Sequence, residues 1–345
     1  MQRRSLLSAS LGLGALVGLA GVGVITDAHF FSGSKTHQAL AGLRLYSSAA
    51  LAFGTTVSIK VLHDDTQVAQ AAVADALQQV QSVDALMSVY QEGSQVYQLN
   101  ERGVLRDPDP HLLQVLAFSQ QLSQRTAGAF DITVQPLWRV FSRAKAKATQ
   151  PTLEEVAAAK ALVNWQQLAF DSQQVLLQRE GMAITLNGVA QGYAVDLALD
   201  ALRRHGVQHA LLDTGEFGAI GSKAQGQPWR VGVTHPRQHD SLAATLPMDG
   251  RQVATSGDYE TFFSPDFSRH HIFDPTTGES PPELASVTVV APGGMLADGL
   301  STALMVMGAE KALALAAQWH DVDAMLITKQ GAILKTLNFP EFRST

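Results

Sequence analysis

Asp298 and Thr302 stand four residues apart in "ADGLSTALMVMG". On a helix that spacing puts a carboxylate and a hydroxyl on one face. With a backbone carbonyl nearby they form a hard-oxygen set suited to Mg2+ or Ca2+. The same residues also suit a plain helix start, with Asp298 charging the first turn and Thr302 merely packed. His271 lies in "RHHIFDPTTGESP", which reads as a strand ending in a turn. Its ordinary pKa is near neutrality, so it can serve as a general base, or be a half-exposed histidine on a strand. Asp258, Tyr259 and Glu260 in "ATSGDYE" can equally be a solvated loop. Gly188 and Gly192, in "TLNGVAQGYAVD", precede a helix expected from about Tyr193. Glycines there allow close backbone approach to a phosphate, or are ordinary turn residues.

Other chemistries lack their residues. The chain has no Gly-x-Ser-x-Gly elbow, no His-Glu-x-x-His and no Walker loop. It has no cysteine, which excludes a lipoprotein anchor, disulfides, Cys metal sites and Cys nucleophiles.

The elements that must position these residues are legible in outline. "GTTVSIKVLHD" alternates as a strand, with Val57, Ile59 and Val61 on one face. "TQVAQAAVADALQQVQSVDALMSVY" reads as a helix with Val73, Leu77, Val80 and Met87 at helical spacing. Asp109-Pro110 reads as an N-cap and first helical position for a helix carrying Leu112, Leu116 and Leu122. "PTLEEV" reads as a capping box built on Thr152 and Glu155. Further on, "HALLD", "WRVGVTH", "RQVATS", "ASVTVVA" and "DAMLIT" read as strands, and "GYAVDLALDALRRHG" and "MLADGLSTALMVMG" as helices. No repeat, linker or clear domain boundary interrupts the chain. The pattern is that of an α+β or mixed α/β protein.

With 345 residues, 46% of them hydrophobic, the chain can bury a full core. Its formal charge of -6 and lack of a basic stripe argue against a nucleic-acid partner. Arg3 and Arg4 precede an apolar, Gly-rich run with no charge until Asp27. That resembles a twin-arginine export signal, although Ser5-Leu6-Leu7 only approximates the usual residues after the pair. A general secretion signal or an uncleaved anchor fits as well, since Leu6 to Ile25 is long enough to span a bilayer. Each of these readings places the remainder outside the cytoplasm, in the periplasm for a twin-arginine signal. The expected division is an export segment over 1–41 and the working chain over 42–345, with Ala39-Leu40-Ala41 as a cleavage site.

The order of "AFGTT", "MSVY…LN", "GAFDIT", "LNGVAQGYAVD", "TGEFGAIG", "TSGDYE", "HHIFDPTTG" and "ADGLSTALMVMG" resembles the ApbE family, FAD:protein FMN transferases, from about Leu45 onward. The resemblance implies one α+β domain with mixed or antiparallel sheets flanked by helices. It implies transfer of FMN from FAD to a Thr or Ser of an acceptor protein, with release of AMP and help from Mg2+ or Ca2+. Such phosphoryl transfer depends on positioning and charge neutralisation. By position, Asp298 and Thr302 match the family's metal ligands, with a carbonyl from around Gly188. Asp131 and Thr133 match flavin-nucleotide contacts, Phe53 stands where the family often has a methionine against the flavin, Tyr90 matches an aromatic contact, and Ile272 a backbone contact. His271 and Asp258 are the candidates for taking the acceptor hydroxyl's proton, with His271 expected to be the inward member of the histidine pair.

The chain departs from the family at three places. Thr185 replaces an aspartate, Gln191 replaces a lysine, and Glu216 stands for the second glycine of "Asn-x-Gly-Gly-Asp". Gln191 can donate a hydrogen bond but cannot neutralise a phosphate. The Arg pair and "DTGEFGAIG" resemble the branch associated with nitrous oxide reductase maturation, which implies a membrane-bound acceptor. Two rivals remain from the sequence: a binding module that holds or delivers FAD, and a metal-dependent FAD pyrophosphatase.

Overall fold

The alternating stretch around Val57, Ile59 and Val61 is the strand it reads as, and all three side chains are fully buried. Each contributes about 2 kcal/mol of transfer free energy. The computed structural model describes residues 22–24, 42–223 and 226–342. The expected export segment otherwise lies outside them. No described helix is long and apolar enough to cross a membrane.

Strand β1 (Val22–Val24) is followed by β2 (Arg44–Ala52) and β3 (Thr55–His63). Next come α1 (Thr66–Met87), α2 (Gln95–Arg102), β4 (Val104–Arg106), α3 (Pro110–Arg125), α4 (Gln135–Ala146) and α5 (Leu153–Lys160). Strands β5 (Leu168–Phe170) and β6 (Gln174–Leu177) precede α6 (Ala190–Arg204), β7 (Ala210–Asp213) and β8 (Phe217–Ile220). The chain continues through β9 (Arg230–His235), β10 (Gln238–Pro247), β11 (Gln252–Gly257) and β12 (Leu284–Ala291). It ends with α7 (Gly294–Met307), α8 (Ala309–Ala316), β13 (Asp323–Thr328) and β14 (Ile333–Lys335).

An eight-stranded sheet in the order β14-β13-β12-β11-β8-β7-β3-β2 forms the backbone of this α+β fold. Its pairings are antiparallel throughout. Two three-stranded sheets, β1-β9-β10 and β4-β6-β5, flank it. Every residue of β12 is buried, as expected of a central strand covered on both faces.

Helix α7 bears apolar residues on most sides and packs against β11, β12, α6 and α8, so it runs through the interior. Its crossing with α6 is very close. A Cβ on Gly192 would stand 2.1 Å from the Gly294 carbonyl oxygen and 2.7 Å from Asp298 Cβ. Asp196, one turn further along α6, caps α7: its carboxylate accepts Gly294 N–H at 2.7 Å and Met295 N–H at 2.9 Å.

Local expectations fail where side chains compete with the backbone. The helix read through Tyr90 stops at Met87, because Ser88 Oγ accepts Tyr90 N–H at 3.1 Å and Gln91 N–H at 3.2 Å. The helix expected from Tyr193 begins earlier, at Ala190. The segment through His270 and His271 is no regular strand. It makes one isolated bridge, Phe262 with His270. The Ser280 hydroxyl takes the strand partner's place, accepting His270 N–H at 2.8 Å and donating to His270 O at 2.7 Å. The Asp274 turn forms as expected, with Gly278 N–H bonded to Asp274 O at 2.8 Å.

Because the α6–α7 crossing leaves no room for a methyl group, Gly192→Ala should cost about 3 kcal/mol. The urea midpoint measures this, and an unchanged midpoint would mean that the helices can move apart freely.

Candidate active site

The loop ahead of α6 is held from two sides. Asn100 brackets Ile184, donating to its carbonyl at 2.8 Å and accepting its N–H at 2.7 Å. Thr185 N–H then bonds Ile132 O at 2.8 Å. These anchors present Gly188 to α7, where a Cβ at 188 would lie 2.8 Å from Thr302 Oγ1. The lack of a side chain lets the Thr302 hydroxyl approach the backbone there. Asp298, buried on the same face of α7, accepts Gly192 N–H at 3.0 Å. The structure therefore brings Asp298, Thr302 and the Gly188 backbone together. Gly192 has a different task from the expected phosphate cradle: its amide is used by Asp298 and its missing Cβ admits α7.

Hydroxyls extend this cluster. Ser256 Oγ lies 3.2 Å from Thr302 Oγ1 and 2.8 Å from Ser301 Oγ. Glu216, which the sequence marked only as a departure, is buried between β7 and β8 and accepts Thr255 N–H at 3.1 Å. Burial raises its carboxyl well above the usual range, and the charge of Asp298 raises it further. Burial likewise pushes Asp298 up to about 7. Two buried carboxylates that disfavour each other's charge are what a divalent cation would relieve. The described residues contain no cluster of three or more His, Cys, Asp or Glu arranged around a cation. The donor set is thus carboxylate, hydroxyl and backbone, which suits an ion that also takes phosphate oxygens from a substrate. An acidic residue in a glycine-flanked turn was the signal for Glu216, but its distance from Asp298 in sequence concealed the pairing.

The nucleotide contacts expected from resemblance divide. Gln191 Nε2 donates to Thr214 O at 2.7 Å and so ties α6 to the turn carrying Glu216. Thr185 Oγ1 accepts Asn187 N–H at 3.3 Å within its own loop. Phe53 occupies the tight β2–β3 turn with φ +53, a left-handed conformation uncommon for its type. The Phe53 amide hydrogen-bonds the Asp84 carboxylate, which also accepts Gln91 Nε2 at 3.2 Å. Asp84 thus ties the β2–β3 turn to Gln91, and Tyr90 beside it is exposed. Asp131 and Thr133 do not present free groups. Asp131 Oδ1 accepts both the amide and hydroxyl of Thr133, at 2.8 and 2.6 Å, and Oδ2 accepts Trp165 N–H at 3.1 Å. Thr133 Oγ1 also accepts Asn164 N–H at 2.8 Å. The pair caps a short 3-10 turn and pins the backbone of residues 131–133 to residues 164–165.

The two histidines differ in burial. His270 is the fully buried ring and His271 the half-buried one. Burial pushes His270 down to about 3 and His271 down to about 4, so both are neutral near pH 7. His271 Nδ1 lies 3.2 Å from Thr261 O. A carbonyl only accepts, so Nδ1 carries the proton and Nε2 carries the lone pair. Ile272 beside it is buried. Asp258 is fully buried and forms a bidentate pair with Arg237, at 2.7 Å to each oxygen. Both oxygens of this carboxylate, the sequence's second candidate for a base, are thus engaged by the guanidinium.

Known proteins agree with this architecture. The ApbE family model matches residues 53–326. An FAD:protein FMN transferase of Klebsiella pneumoniae (strain 342) is 32% identical over 306 residues, covering 84% of this chain and 86% of that protein. One of Escherichia coli K12 is 32% identical over 282 residues, covering 77% and 79%. Among solved structures, the ApbE protein of Thermotoga maritima superposes with a TM-score of 0.76 at 28% identity, covering 85% of this chain and 97% of its own. The apo flavinyl transferase ApbE of Pseudomonas stutzeri gives 0.74 at 31% identity, covering 86% and 95%. The chain belongs to the ApbE family.

Proposed function

We propose that this protein is an FAD:protein FMN transferase, which moves FMN from FAD to a Thr or Ser of an acceptor protein. The observation that carries the reading is the meeting of Asp298, Thr302 and the Gly188 backbone, in a chain whose matched relatives bear that name. Asp298, Thr302 and the Gly188 backbone would hold a divalent cation, Mg2+ or Ca2+, that offsets charge on the diphosphate and the departing AMP. Glu216, whose carboxyl is raised by the charge of Asp298, would lie in the field of the same ion. Thr261 keeps the proton on His271 Nδ1, so Nε2 takes the proton of the acceptor hydroxyl. The acceptor oxygen bonds to the FMN phosphorus, the phosphoanhydride bond to AMP breaks, and AMP leaves. Because Gln191 is neutral and engaged with Thr214, the diphosphate gains no positive charge from it.

The working site is proposed to lie outside the cytoplasm, on the strength of Arg3-Arg4 and the apolar run after them. The same pair with "DTGEFGAIG" supports a membrane-bound acceptor of the nitrous oxide reductase system.

The direct test incubates the protein with FAD, Mg2+ and an acceptor domain, then reads flavin fluorescence on the denatured acceptor and its mass. An added FMN supports the transferase. Release of AMP and free FMN without an adduct would mean hydrolysis. Intact FAD would mean a binding module, provided the Klebsiella relative modifies the same acceptor in parallel.

Asp298→Ala should abolish Mg2+-dependent transfer, a loss of at least about 100-fold. Unchanged labelling in that variant would displace the proposed metal site. A pH profile tests the base. His271 is held down at about 4 rather than 6.5, so its lone pair stays available until the pH falls towards 4. The transfer rate should therefore show no His271 inflection near 6.5, the ordinary value for histidine. An inflection there that vanishes in His271→Gln would contradict the half-buried, neutral ring.

A further inference from the structure

We propose that Arg237 and Lys329 form a two-cation staple on the arm over residues 258–271, which makes Arg237 a positioning residue for His271. The inference rests on the transferase reading only for its effect on rate.

The arm leaves β11 at Gly257 and returns through His271. Between these points its backbone bonds are local: the Phe262–His270 bridge, Phe263 and Ser264 N–H to Arg269 O at 2.7 and 3.3 Å, Phe267 N–H to Ser264 O at 3.1 Å, and His271 N–H to Thr261 O at 2.9 Å. The same two cations grip it at both ends. At the root, Arg237 binds both oxygens of Asp258 at 2.7 Å, and Lys329 Nζ lies 3.8 Å from Asp258 Oδ2. At the tip, Lys329 Nζ donates to Phe267 O at 2.9 Å, and the Arg237 guanidinium stacks 4.5 Å from the Phe267 ring centroid. Phe267 is itself left-handed, with φ +59, so the tip adopts a conformation it would not choose alone.

The staple's two halves come from distant parts of the chain. Arg237 is in the turn between β9 and β10, and Lys329 directly follows β13. Asp258 is additionally fixed through its own N–H to Ala285 O at 2.9 Å. Root and tip are thus tied together and to the sheet, and Thr261 and His271 lie within the tied segment. His270 fits the same picture. It is fully buried, and the charges of Arg237 and Lys329 add to burial in keeping its ring neutral. Lys145, which donates to Phe262 O at 2.6 Å, supports the outer side of the arm. An engaged buried carboxylate therefore serves the histidine at a distance, through the shape of the arm.

The test compares the full protein with Arg237→Met, Arg237→Lys and Lys329→Met. Three readouts are taken: transfer rate at saturating FAD, FAD affinity, and amide hydrogen exchange of residues 258–271. Arg237→Met should lower the transfer rate about 100-fold, as expected for a base displaced by an ångström or so. FAD affinity should stay within about twofold. Exchange should accelerate at His271 and Phe263 but not along α7. Arg237→Lys should recover about tenfold of the rate, since it restores charge but not the bidentate grip. Lys329→Met, which removes less of the staple, should show the same pattern at smaller size and serves alone if Arg237→Met does not fold. Unchanged exchange in 258–271, or a rate loss matched by lost FAD affinity, would overturn the staple. If the wild-type protein forms no adduct, the transferase reading fails, while the exchange comparison still decides the staple.

Discussion

The close crossing of α6 and α7 is the constraint on which the site depends. With no side chain at Gly192, the Gly294 carbonyl comes within reach of the α6 backbone, and Asp298 can take the Gly192 amide. That contact fixes the rotation of α7, and with it the direction of Thr302 towards Gly188. Asp196 strengthens the same joint by capping α7 from α6. The positive end of α7 is thereby used within the protein, and Asp298 sits one turn in, buried and raised in pKa. A wider crossing would admit water to these carboxylates and dissolve the electrostatic tension that favours a cation.

A second principle shapes the other side of the site. The arm bearing His271 is not built as sheet, so side chains replace the ladder: Ser280 against His270, Lys329 against Phe267, Lys145 against Phe262. Such an arm can place a half-buried imidazole near a substrate surface that a continuous strand would cover. Its geometry then rests on a few charged contacts, the strongest of them at the fully buried Asp258 carboxylate, where an ion pair is stronger than in water. Asp258 belongs to that support through its bidentate pair with Arg237.

Much of the fold could be read locally. A period-two run located β3, and helical spacing located α1 and α3, because burial of one face imposes its period on the residues. The Asp109 cap and the Thr152–Glu155 capping box were legible for the same reason: their partners lie within a turn. Misreadings occurred where a short polar side chain diverted the backbone, as at Ser88 and Ser280, since propensity does not record which competitor wins.

For the site, the sequence alone determined the chemical inventory: Asp298 and Thr302 at helical spacing, a histidine pair before an Asp-Pro turn, small residues ahead of α6, and no cysteine. Those facts are local, or are simple matters of presence. Tertiary structure alone decided which atoms meet. It set Glu216 in the field of Asp298, turned Asp131 and Thr133 inward upon each other, buried His270 fully and His271 by half, and gave Asp258 to Arg237. Each of these outcomes depends on partners far apart along the chain, and their approach is set by the packing of whole helices and strands. The charge and proton affinity of every such group follows from that packing, so no reading of neighbours in sequence could assign it.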